Sequence, residues 1–181
     1  MVDKDHPYES GYLYELALHA DDHKSLVLGA VRMIIHVTDS LSEHALVPVP
    51  QVAQNVSLAQ RFLAGDVTAL DEARTAQDED SLDASDMWPV IWSHYRASVY
   101  LVRLVAAQYL APFERAGILS FLTSFAGDAL AAETGDTRIS PSYVSAWHRE
   151  RDWQTTCLES AVGQAEGISG GRLRNFALSG N

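Results

Sequence analysis

Residues typical of helix starts and helix ends recur along this sequence, with segments about as long as one helix between them. These start and end signals limit the fold more than any other feature. Pro50 and Pro112 each suit the first turn of a helix, where a missing N–H costs nothing. Ser140-Pro141 adds a capping hydroxyl before such a proline. Gly65 suits the position just after a helix, where the backbone often adopts the left-handed conformation. Alternating strand patterns and hairpin dipeptides such as Asn-Gly are missing from the sequence. The sequence therefore predicts an all-α protein.

The apolar periodicity between these markers predicts a single-domain bundle of six to seven helices over residues 1–167. Two helices, near residues 23–46 and 88–110, are apolar around most of their circumference. We expect these two to lie at the centre and to pack against each other. The acidic stretch 77–86 is expected to be a loop, and the Gly- and Ser-rich residues 168–181 a flexible C-terminal tail.

Charge limits the classes of partner. The 24 acidic and 13 basic residues give a net charge of −11, which repels phosphates and anionic lipids, so neither nucleic acid nor membrane is expected to bind. An acidic surface can instead bind a basic protein, or simply keep an apolar domain soluble.

A lone cysteine, Cys157, rules out an intramolecular disulfide, and the charged N-terminus lacks the apolar run of a signal peptide. We expect a cytoplasmic protein, and its oligomeric state is left open.

Two histidines four residues apart give the sharpest chemical signal. On a continuous helix His19 and His23 would share one face at a metal-binding separation, with Glu15 one turn earlier. Asp21-Asp22, however, is typical of a helix break that caps the next helix. A metal site and a polar helix end both remain open, and no other cofactor is indicated.

Polar and aromatic side chains on the two apolar helices are candidates for a ligand pocket between these helices. They are Arg32, His36, Trp92, Tyr95, Arg96 and Arg103. The alternative is structural, because ion networks between helices mostly fix register and clustered aromatic rings mostly fill cores. A small-molecule binding or ligand-processing bundle is therefore one of the functions that the sequence allows.

No arrangement of catalytic residues is evident. Cys157 and His148 are nine residues apart on one predicted helix, which does not bring them together as nucleophile and base. The serines have no glycine-flanked elbow, and there is no phosphate-binding glycine loop. We therefore favour a non-enzymatic binding protein and assign no catalytic residue.

The stretch from His36 to Arg74 follows a recognisable pattern. A helix that ends in an acidic-His-aliphatic-Pro motif precedes an alanine-rich helix that ends in an aromatic-Leu-x-Gly motif, and a short Glu-Ala-Arg helix follows. The matching positions are Glu43, His44, Leu46, Pro48, Ala59, Arg61, Phe62, Leu63, Gly65, Glu72, Ala73 and Arg74. In this stretch, about a fifth of the chain, the sequence resembles all-helical immunity proteins of bacterial polymorphic-toxin systems. The resemblance implies a non-enzymatic protein that binds and neutralises a toxin.

Overall fold

Seven α-helices and one short 3₁₀ turn make up the parts of the chain that the computed structural model describes, residues 11–76, 88–132 and 140–166. In chain order the helices are α1 (Gly11–Leu18), α2 (His23–Glu43), α3 (Pro50–Leu63), α4 (Val67–Ala76), α5 (Pro89–Ala106), α6 (Pro112–Ala132) and α7 (Pro141–Glu166). None of the described residues is in a strand, so the predicted all-α, single-domain bundle is confirmed. The predicted loop at 77–86 and the predicted tail at 168–181 lie outside the described residues.

The helices begin where local chemistry favours a start. Pro50, Pro112 and Pro141 are the first residues of α3, α6 and α7, where a proline removes no intrahelical hydrogen bond. Asp22 caps α2, and its carboxylate accepts a hydrogen bond from the backbone N–H of Lys24 at 3.1 Å. These starts depend only on neighbouring residues, which is why the sequence predicts them.

Two helices end with a residue in the left-handed conformation. Gly65, after α3, has a φ of 89°, and Ala45, after α2, has a φ of 58°. In both places the next N–H bonds to the carbonyl five residues earlier, at 3.0 Å after Gly65 and at 2.9 Å after Ala45. This pattern satisfies carbonyls that the end of a helix leaves without partners.

Helices α2 and α5 pack against each other, as the sequence predicts, and both contribute to the main core. They end earlier than expected, at Glu43 and Ala106, and the 3₁₀ turn Ala107–Tyr109 continues α5. Helix α6 is a third central element, because it packs against α1, α2, α5 and α7. Its fully buried apolar residues are Ala116, Leu119, Leu122, Ala126, Ala129 and Ala131.

Helix α7 packs along α2 and α6, and a glycine lies at each crossing. A Cβ atom at Gly29 of α2 would lie 2.9 Å from Cδ1 of Leu158. A Cβ atom at Gly127 of α6 would lie 3.1 Å from Nε1 of Trp147. Both distances are shorter than ordinary contacts between heavy atoms, so the missing side chains let α7 approach both helices closely.

Helix α2 is the one helix in the described ranges that is long and apolar enough to cross a membrane. More than half of its most apolar stretch, 56%, is buried inside the protein. The core helix of a soluble protein has the same properties, so α2 is compatible with a soluble protein.

Candidate functional site

The two histidines of the predicted metal site lie on different elements. His19 follows α1, and its exposed ring has Nε2 3.5 Å from Oε2 of Glu15. His23 is the first residue of α2, and its buried ring meets the edge of Phe62 at a centroid distance of 6.0 Å. In the part of the chain that the structure describes, no group of three or more His, Cys, Asp or Glu side chains could hold a metal ion. Glu15, His19 and His23 are thus not assembled as ligands.

The interface of α2 and α5, where the sequence predicts a pocket, contains a buried polar contact. Nε2 of His94 lies 3.0 Å from Oγ1 of Thr38, which also donates a hydrogen bond to the carbonyl of Ile34 at 2.8 Å. His94 is completely buried, and burial lowers its pKa to about 4. His94 therefore joins the two central helices as a neutral side chain near pH 7.

The six pocket candidates are found in two groups. On α5, Trp92 and Tyr95 have ring centroids 5.9 Å apart, and the two arginines of that helix lie over aromatic rings. On α2, His36 contacts α7, and Arg32 is close enough to the α7 thiol Cys157 to act on it electrostatically. The α5 group and the α2 group therefore belong to different surroundings.

Three members of the α5 group belong to a larger surface on α5 and α6, which we call the arginine–aromatic face, and the fourth, Tyr95, is buried in the main core. The face consists of side chains that stack on one another or lie over one another's rings: Trp92, Arg96, Tyr100, Arg103, Phe121 and Phe125. The Tyr100 ring stacks on those of Phe121 and Phe125, at centroid distances of 5.3 Å and 5.7 Å. Because these rings come from both helices, the face spans the α5–α6 seam.

The two guanidinium groups of the face lie over these rings. Arg96 is 5.3 Å from the ring centroid of Trp92, and 5.7 Å from those of Tyr100 and Phe125. Arg103 is 5.0 Å from the ring centroid of Tyr100, and within the described ranges it forms no ion pair. Stacking on the Tyr100 ring holds the planar guanidinium of Arg103 in place while its N–H donors stay available at the edge.

The face is accessible to a partner. Phe121 is 57% exposed, and the other five members are partly exposed. Trp88, one turn before Trp92 along the chain, is 71% exposed. Large aromatic rings exposed next to arginines are typical of surfaces that bind another molecule.

A second candidate site is a cleft of about 340 Å³ between α2 and α7, which we call the α2–α7 cleft. Its lining residues are His36, Ser40, Leu130, Ala146, Arg149, Glu150 and Trp153. The His36 ring stacks on that of Trp153 at a centroid distance of 3.9 Å and an interplanar angle of 17°. Nε2 of His36 lies 3.2 Å from Oε2 of Glu150, and this carboxylate is buried.

The candidates from the sequence omit several members of both sites. Tyr100 could have been found, since residues 92, 96, 100 and 103 form one stripe at helical spacing. Phe121 and Phe125 share a similar four-residue spacing, but nothing local indicates that they meet α5. Glu150 is 114 residues from His36, and no local signal joins the two.

Comparisons with models of known protein families, with curated proteins and with solved structures found no match. The likeness to immunity proteins therefore stays a prediction.

Proposed function

We propose that this chain is a non-enzymatic, cytoplasmic binding protein that holds another protein on the arginine–aromatic face. We further propose that it serves as an immunity protein and that its partner is a toxin. The observation that carries the proposal is the combination of exposed aromatic rings and ring-stacked guanidinium groups along the α5–α6 seam. Trp, Tyr, Phe and Arg are the residues most enriched where proteins bind each other, and Trp, Tyr and Arg dominate the energetics.

The chemistry of the face favours a partner segment that combines an acidic side chain with apolar or aromatic groups. A carboxylate can accept two parallel hydrogen bonds from a guanidinium such as that of Arg103. Apolar groups of the partner would cover Phe121 and remove it from water. The net charge of −11 acts at longer range and favours a partner that is basic overall, since attraction between whole molecules speeds their encounter.

Co-expression of the chain with the product of the adjacent gene tests this proposal. We expect a complex, and we expect Arg103→Glu and Phe121→Ala each to weaken it about 30-fold, the effect of losing an interface side chain worth about 2 kcal/mol. Titration calorimetry with the purified proteins measures both effects. Arg149→Glu makes the same change of charge on α7, away from the face, and should leave the affinity within about twofold of the original.

Two results would count against the proposal. Unchanged affinity in both face variants would remove the arginine–aromatic face as the docking surface. Failure of the chain to bind the neighbouring product, or to protect growing cells from it, would exclude the immunity role.

A further inference from the structure

We propose that the α2–α7 cleft binds a small zwitterion of the amino-acid type, with its ammonium group at Glu150 and its carboxylate at Arg149. This inference does not depend on the protein-binding function, because the cleft is built by α2, α6 and α7 and shares no residue with the arginine–aromatic face.

The first observation is a buried carboxylate in the wall of an open cleft. Glu150 is only 5% exposed, yet it lines the cleft. Its Oε1 accepts a hydrogen bond from Nε2 of Gln154 at 3.0 Å, and its Oε2 is paired with Nε2 of His36 at 3.2 Å. A carboxylate oxygen can accept two hydrogen bonds, so each oxygen retains one acceptor site. Arg151 already acts on this carboxylate electrostatically, and an ammonium group offers three donors to the acceptor sites that remain.

The second observation is a charge of opposite sign in the same lining. Arg149 is exposed and lines the cleft, and its Nη1 donates one hydrogen bond to Oγ of Ser145 at 3.0 Å. A guanidinium has five N–H donors in a planar fork, which matches the two oxygens of a carboxylate. One small molecule that carries both charges can satisfy both groups, whereas a simple cation or a simple anion can satisfy only one.

The size and the walls of the cleft limit the rest of the ligand. Its volume of about 340 Å³ lies near the lower end of ligand pockets, which begin at about 300 Å³, so it suits one small molecule. Trp153, stacked on His36, and Leu130 provide apolar surface beside the charged groups. An amino acid with an apolar or aromatic side chain therefore fits the cleft better than a purely polar one.

Calorimetric titration of the whole chain with L-phenylalanine tests the assignment. Two analogues that each lack one charge serve as comparisons: phenethylamine has no carboxylate, and 3-phenylpropionate has no ammonium group. We expect L-phenylalanine to bind and each analogue to bind about tenfold more weakly, because a hydrogen bond to a charged group contributes about that factor. Absence of L-phenylalanine binding at about 1 mM ligand would overturn the proposal.

Variants assign the two charges separately. Arg149→Gln should weaken L-phenylalanine about tenfold and leave phenethylamine unchanged, and Glu150→Gln should weaken L-phenylalanine and leave 3-phenylpropionate unchanged. Asp152→Asn, an exposed change on the same helix, is the matched control and should bind as the original chain does. Arg149 is exposed, so its variant stays informative even if Glu150→Gln fails to fold. Equal binding of L-phenylalanine and phenethylamine, unaffected by Arg149→Gln, would overturn the zwitterion assignment.

Discussion

A single buried imidazole links the two central helices. His94 of α5 is completely buried, and its contact with Thr38 of α2 places a titratable group inside the core. The pKa of His94 is lowered to about 4 because burial disfavours the charged ring. His23 is similar, and burial, together with the charge of Arg115, lowers its pKa to about 4 as well.

These two histidines make stability depend on pH in a definite direction. In the unfolded chain a histidine binds its proton near pH 6.5, whereas in the folded protein His94 and His23 do so only near pH 4. Between these values the unfolded state holds more protons, so the free energy of unfolding falls as the pH falls. The stabilisation from keeping the two rings neutral is complete above about pH 6.5 and is lost as the solution approaches pH 4.

We expect His94→Gln to reduce this pH dependence. Urea unfolding between about pH 6.5 and pH 4.5 should show the free energy of unfolding falling less steeply in the variant, by at most about 1.4 kcal/mol per pH unit, the contribution of one proton. His148→Gln, which changes an exposed histidine, should leave the slope as it is. Equal slopes for the original chain and His94→Gln would show that His94 does not titrate in this way.

At the scale of the helix, α2 and α3 end with the same backbone geometry but with different residues. Gly65 meets no steric penalty at a φ of 89°, whereas Ala45 at a φ of 58° brings its Cβ atom close to a backbone carbonyl. Ala45 is exposed, so its methyl group gains little from packing. The end of α2 is therefore strained in a way that the end of α3 is not.

Exchanging the two residue types should move stability in opposite directions. Ala45→Gly should raise the free energy of unfolding by about 0.5–1 kcal/mol through relief of strain, after allowance for the greater freedom of glycine in the unfolded chain. Gly65→Ala should lower it by about 1 kcal/mol, and no neighbouring atom lies close enough to add a further clash. Chemical denaturation of both variants measures the pair. A loss of stability in Ala45→Gly would contradict the idea of strain at this position.

At the scale of the whole molecule, the sequence could predict what depends on neighbouring residues and could not predict which faces meet. The starts of α3, α6 and α7 were predictable because proline acts on its own turn. The central place of α2 and α5 was predictable because both are apolar nearly all round. The surroundings of Arg96 and Arg103 were not predictable from the sequence. Several helices carry side chains that could contact an arginine, and only the packing of α6 on α5 places Phe125 beside Arg96. The pairing of His36 with Glu150 depends in the same way on how α7 folds back on α2.

The packing of α7 on α2 can be followed through the only cysteine of the chain. Cys157 is buried at this interface, with Sγ 3.8 Å from the carbonyl oxygen of Gly29, and burial raises the pKa of its thiol. We expect a thiol reagent to label Cys157 only after α7 separates from α2. Leu158→Ala removes a fully buried side chain from the same crossing and should speed labelling about 100-fold, since such cavities cost about 3 kcal/mol.

Val52→Ala in α3 is the control, because it also opens a buried site but leaves α7 untouched. If it speeds labelling as much as Leu158→Ala does, labelling follows unfolding of the whole domain, and separate movement of α7 is excluded.

The rate at which the Cys157 thiol is labelled reports how often α7 separates from α2. Helix α7 carries Glu150, Arg149 and Trp153, so any event that loosens or tightens this helix changes how often the sulfur meets solvent. A molecule that occupied the α2–α7 cleft would slow the labelling of Cys157, and one that bound only α5 and α6 would leave it nearly unchanged. The reactivity of this one native sulfur can therefore distinguish a molecule bound in the α2–α7 cleft from one bound on the arginine–aromatic face.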